Sequence, residues 1–142
     1  MRAVAIGIVL LWAVVLAVFD VRHRRLPNVL TLPGAVAVLG VALLWGRGLP
    51  ALAGALALAG LYLVVHLGVP SGLGAGDVKL ALGVGGLTGA FGPDVWLLAA
   101  LGAPVLTAMV AVGVALRHRT ATVPHGPSMC LASLAAAALV VF

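Results

Sequence analysis

Residues 3–19 read AVAIGIVLLWAVVLAVF, and Asp20 and the basic run Arg22-His23-Arg24-Arg25 follow close behind. The indole N–H of Trp12 is the only polar side-chain group in that stretch. At about 1.5 Å per residue, such a helix covers most of the roughly 30 Å of hydrocarbon in a bilayer. The basic start Met1-Arg2 also fits a secretory signal, but the apolar run exceeds a signal core and no small-x-small site follows it. The arginines after Asp20 therefore read as a stop-transfer boundary, and the stretch as a membrane anchor.

Working outward, the same pattern recurs. Residues 29–45, 51–69 and 95–116 are nearly as apolar, and residues 129–142 need a few preceding residues to span. Residues 80–91 are the weakest candidate, about 18 Å as a helix, and become a short glycine-rich span if the helix starts near Asp77. The expected fold is all-α: one membrane-embedded domain over residues 1–142, a polytopic bundle of about six transmembrane helices. Composition agrees. The chain is 64% apolar and only 8% charged, against about a quarter charged in soluble domains. Gly54 with Gly60, and Gly83 with Gly86 and Gly89, are expected to let helices approach closely. Pro33 and Pro104 are expected to kink the second and fifth spans.

The net charge of +5 does not point to nucleic acid, because no basic face carries interleaved aromatics. It reads as topology. With six spans, Arg22, Arg24, Arg25, Lys79, Arg117 and Arg119 fall on one side and only Arg2 and Arg47 on the other. Positive loops stay in the cytoplasm, so the first, third and fifth loops are expected there. The arginines after Asp20 also suit anionic lipid headgroups. The lone Cys130 excludes an internal disulfide and a cysteine-only metal cage, and reads as a small apolar residue.

Only three residues are acidic: Asp20, Asp77 and Asp94. Asp94, after Gly92-Pro93, reads as a turn or cap aspartate for the fifth span. Asp20 ends the first span and Asp77 begins the fourth, so topology brings both to the cytoplasmic face. Paired carboxylates suit activation of a water for attack on a peptide carbonyl, one ionised and one protonated. The plainer reading is that each caps a helix or pairs with an arginine. Gly72-Leu73-Gly74-Ala75-Gly76 before Asp77 clears side chains from the approach, as an extended substrate backbone requires. Helix ends favour the charge on Asp77, at a helix start, over Asp20, at a helix end.

The segment from Gly74 to Leu80, GAGDVKL, resembles the GxGD motif of the type IV prepilin peptidases. Asp20 with Arg24-Arg25-Leu26-Pro27-Asn28 resembles that family's first aspartate and the run after it. Val123-Pro124-His125-Gly126-Pro127-Ser128 resembles its late Pro-Phe-Gly-Pro segment, with His125 in place of the common aromatic. The longer members' methyltransferase part with paired cysteine motifs is absent, so the chain resembles the short peptidase-only branch of Flp/Tad-type pilus systems. Pro50-Ala51-Leu52 matches a presenilin motif by coincidence, since it precedes the second aspartate.

The resemblance implies an aspartyl endopeptidase of the bacterial inner membrane, with Asp20 and Asp77 as the dyad and no metal or organic cofactor. Its substrate is a prepilin-like membrane protein, cut after a short basic leader at the cytoplasmic face. It further implies that Gly74, Gly76, Lys79, Arg25, Pro27, Asn28, Pro124, Gly126 and Pro127 serve substrate binding. The alternative is a small membrane transporter or pilus-assembly subunit whose aspartates handle protons or ions; that role needs access from both faces. His23, His66, His118 and His125 show no His-x-x-x-His spacing, so interface anchoring outweighs metal ligation. Lys79 is expected to snorkel to the interface without pairing with Asp77.

The basic bias makes a topological prediction. In a background lacking Cys130, cysteine at His23 or Thr120 is expected to react only with reagents that enter the cytoplasm. Cysteine at Gly48 is expected to label from outside. Outside labelling at position 23 would overturn the orientation.

Overall fold

The computed structural model describes residues 2–117 and 122–141. These form six helices: α1 (Arg2–His23), α2 (Asn28–Leu44), α3 (Gly48–Gly68), α4 (Ala75–Phe91), α5 (Pro93–Arg117) and α6 (Gly126–Val141). No strand occurs among the described residues. Each apolar run became one helix. The weakest candidate became α4 by starting two residues before Asp77, and α6 gained its extra turn from Gly126. α1, α3 and α5 are long and apolar enough to cross a membrane, while α2 and α6 are shorter apolar helices. Val14, Leu63, Leu101 and Val112 remain exposed along the long helices, a surface suited to lipid as solvent. The protein is an all-helical membrane bundle. His118, Arg119 and Thr120 of the fifth loop lie outside the described residues.

The helix boundaries correct one expectation. α1 continues past Asp20, so Arg22 and His23 belong to its last turn and not to a loop. Cations there face the carbonyl end of the helix. α1 stops at Arg24, whose φ of +51° is left-handed and whose N–H donates to the Asp20 carbonyl at 2.8 Å. That is the single-bond αL stop usually given to glycine. The chain then passes through Leu26, which is buried, to Pro27, whose extended backbone opens α2.

α4 is the centre of the bundle, packed against α2, α3, α5 and α6. Glycines explain how it fits. A Cβ on Gly54 would stand 2.5 Å from the Gly85 carbonyl oxygen, one on Gly85 2.6 Å from the Gly54 carbonyl, and one on Gly89 2.7 Å from that of Pro50. The α3 and α4 backbones thus touch, which small residues permit and larger ones forbid. The expectation that Gly60 shares a packing surface with Gly54 is corrected, because a Cβ on Gly60 would meet nothing within 4 Å. The true partner of Gly54 is Gly85. On the other side of α4, the Trp12 ring lies against Gly34 of α2 and Gly83. Its indole N–H donates to the Leu30 carbonyl at 2.8 Å. Trp96 donates likewise to the Gly54 carbonyl at 2.9 Å, across the seam. Pro33 and Pro104 both sit inside their helices.

The seam predicts a contrast between two glycines of one helix. Gly54→Val forces α3 off α4 and is expected to lower unfolding stability in detergent by about 1–3 kcal/mol, the usual penalty of overpacking. Gly60→Val is expected to leave the unfolding midpoint in place or raise it. Equal losses at both positions would show that the seam is not what holds these helices.

Candidate functional site

Asp77 is the third residue of α4, and its Oδ2 accepts the Gly74 N–H at 3.2 Å. The carboxylate therefore caps its own helix. The loop before it is anchored at Leu73, whose carbonyl accepts the His66 Nδ1–H at 2.6 Å. Leu73 is buried, while Gly72 and Gly74 are exposed. Gly76 sits on Leu26, where an added Cβ would come within 3.0 Å of the leucine Cβ. The segment between Arg25 and Pro27 is thereby packed under the start of α4.

Asp20 comes from the last turns of α1 and meets α6. Its Oδ2 accepts the Gly126 N–H at 2.9 Å, joining residues 106 apart in sequence. A Cβ at position 126 would lie 2.5 Å from that oxygen, so any larger residue has to displace the carboxylate. Asp20 and Asp77 are 7% and 9% exposed, and the Asp77 carboxylate lies in the electrostatic field of Asp20. Cys130 of α6, also buried, lies in the field of both. The C-terminal end of α1 and the N-terminal ends of α4 and α6 therefore share one end of the bundle. Arg47 marks the opposite end, where it donates to the Ala90 carbonyl at 2.8 Å. Asp94, exposed in the first turn of α5, lies at that opposite end, about 20 Å away along α4.

Asp20 ends α1 but faces the N-terminus of α6, so both carboxylates meet the N–H end of a helix. The start of α6 thus offsets the C-terminus of α1 at Asp20, while Asp77 meets the start of its own helix.

The remaining motif residues divide into those that touch one another and those at the surface. Lys79 donates to Asn28 Oδ1 at 2.7 Å, tying α4 to the first residue of α2. The lysine's partner is thus Asn28, in an exposed bond at the end of both helices, and not Asp77. Arg25 is exposed, and Pro27, Pro124 and Pro127 are partly buried. No group of three or more His, Cys, Asp or Glu capable of holding a metal occurs among the described residues, which include His23, His66 and His125. His23 stacks on Phe19, while His66 and His125 are engaged in hydrogen bonds. His125 lies between Tyr62 Oη, 2.7 Å from Nε2, and Thr107 Oγ1, 2.6 Å from Nδ1.

Tyr62, Thr107, His66 and Leu73 belong to no motif, and sequence reasoning did not single out the first two or the last. The signal was available in part. A hydroxyl inside an otherwise apolar span must find a partner, and Tyr62 and Thr107 stand in such spans.

Among known proteins, the model of the type IV leader peptidase family matches residues 7–112 of this chain. No curated protein and no solved structure matches it. The matched span contains both buried aspartates and the whole segment from Arg24 to Lys79.

The contact between α1 and α6 is open to a direct test. Gly126→Ala is expected to push the Asp20 carboxylate away and leave the N–H at position 126 unpaired. The unfolding stability should drop by about 1–3 kcal/mol, the penalty for a buried polar group without its partner. An alanine variant that melts like the parent would show that the carboxylate has room to move.

Proposed function

Since the chain belongs to the type IV leader peptidase family, and is on that ground a membrane protease of the prepilin-peptidase kind, we propose that it is an aspartyl endopeptidase with Asp20 and Asp77 as its dyad. The observation that carries this reading is the pair of buried carboxylates, brought by α1 and α4 to one end of the bundle. Two close carboxyl groups in a dry site hold one proton between them. The ionised member takes a proton from water as its oxygen attacks the peptide carbonyl carbon. The protonated member gives its proton to the carbonyl oxygen, forming a neutral tetrahedral diol. Collapse of the diol breaks the C–N bond, one carboxylate recovers a proton from the diol, and the other carboxylic acid protonates the leaving amine.

The substrate in this reading is a prepilin-like membrane protein whose short basic leader is removed at the cytoplasmic face of the bacterial inner membrane. The basic residues Arg22, Arg24, Arg25 and Lys79 at the dyad's end of the bundle support that orientation. Gly74, exposed, leaves space for an extended backbone beside Asp77, while Gly76 gives room to Leu26 and remains a candidate through its backbone. Arg25, Pro27, Asn28, Lys79, Pro124, Gly126 and Pro127 surround the same end and are the candidates for substrate binding. The Lys79–Asn28 bond makes two of them one unit. The mechanism draws on no metal or organic cofactor.

Asp20→Asn and Asp77→Asn are each expected to abolish leader removal from a co-expressed prepilin, scored by mass, while the protein still accumulates in the membrane. Asp94→Asn should keep most activity. Cleavage should persist in strong chelators and after serine- or cysteine-directed reagents. Substantial turnover by either dyad variant would sink the mechanism.

A further inference from the structure

Tyr62, His125 and Thr107 form a hydrogen-bonded chain across three helices, and its direction is determined. The Thr107 hydroxyl has one hydrogen, which it donates to the Ala103 carbonyl at 3.0 Å. It therefore accepts from His125, and the hydrogen of the neutral ring sits on Nδ1. Nε2 is then bare and accepts the Tyr62 O–H at 2.7 Å. The reverse direction would leave the hydroxyl hydrogen of Tyr62, a residue only 6% exposed, without an acceptor among the described residues. One tautomer satisfies every group.

His125 is also the residue before α6, and its carbonyl accepts the Met129 N–H at 3.1 Å, the first turn of that helix. One peptide further on, the Gly126 N–H meets Asp20. The ring is thus held to α3 on one side and α5 on the other, while the adjoining peptide carries the donor that fixes the carboxylate. A phenylalanine at this position would fill the space and make neither bond.

We infer that His125 is a positioning residue for Asp20: held between Tyr62 and Thr107 as its Nδ1–H tautomer, it aims the first N–H of α6 at the Asp20 carboxylate. The consequence for cleavage rests on the proposed dyad, but the consequence for Asp20 itself does not.

The test uses the full chain in detergent or nanodiscs, labelled with 13C at the aspartate carboxyl carbons. There are only three aspartates, so Asp20→Asn, Asp77→Asn and Asp94→Asn assign the three signals. Tyr62→Phe, Thr107→Val and His125→Phe are each expected to shift the Asp20 signal and leave that of Asp94 in place. Tyr62→Phe added to His125→Phe should shift it no further. With a cleavable prepilin, the same variants should lower kcat about three- to tenfold, the effect of one misplaced hydrogen bond, with KM nearly unchanged. His125→Gln, whose amide carbonyl can accept from Tyr62, should recover part of kcat. An Asp20 signal unmoved by all three substitutions would overturn the inference, as would an equal shift at Asp94, which marks general loosening. A parent protein that cleaves no prepilin, yet whose Asp20 signal responds, would overturn the proposed function and uphold this one.

Discussion

The bond from the Gly126 N–H to Asp20 Oδ2 closes the bundle between its first and last helices. α1 packs mainly on α6 and only lightly on α2, so its register against the rest depends on few contacts. In lipid, a first-turn N–H without an acceptor is expensive, because no water stands ready to replace it. Asp20 supplies that acceptor from the far end of the chain, and any larger residue at position 126 has to displace it. The same carboxylate therefore serves the fold and is a candidate for the chemistry. Asparagine keeps a carbonyl oxygen for the bond while removing the acid, which is why the amide separates the two roles and alanine would not.

The other half of the site is set from the opposite direction. Direct backbone contact of α3 with α4 at Gly54, Gly85 and Gly89 places α4 in the middle of the bundle. Asp77 then needs only a defined start for that helix. Gly74 provides it through its N–H, and His66 holds the preceding carbonyl. Lys79 fastens the same turn to Asn28, at the start of α2. Two of these three polar contacts join a side chain to backbone, as suits a bundle with few polar side chains.

The six helices were legible because four apolar runs approach a span's length and the two shorter ones extend through flanking glycines, each run bounded by glycine, proline or charge. Asp20 and Asp77 were legible because an acid at a membrane boundary demands a reason. Less local features were harder to see. Gly85 is one glycine among several in α4, and nothing in the sequence distinguishes it from Gly83 or Gly86 as the partner of Gly54. Gly60 carries the same composition signal as Gly54 but faces open space. The extent of α1 past Asp20 was hidden because arginine and histidine read as loop, although cations stabilise a helix C-terminus. Tyr62 and Thr107 act only through His125, a relation between three helices that no spacing rule encodes.

The field at Asp20 cannot be read from α1 alone, as it could if each helix were isolated. In a bundle of antiparallel neighbours, every helix end lies beside the ends of others, and α6 begins where α1 finishes. The field at a carboxylate is then the sum over helix ends within a few ångströms, weighted by which N–H or carbonyl points at it. For Asp20 the C-terminus of α1 and the N-terminus of α6 oppose each other, whereas Asp77 meets the start of its own helix alone. A directed hydrogen bond at 2.9 Å outweighs a terminus that is merely near. The electrostatics of the pair is therefore decided by tertiary contacts, and the residue that aims Gly126 at Asp20 belongs to that electrostatics as much as the charged groups do.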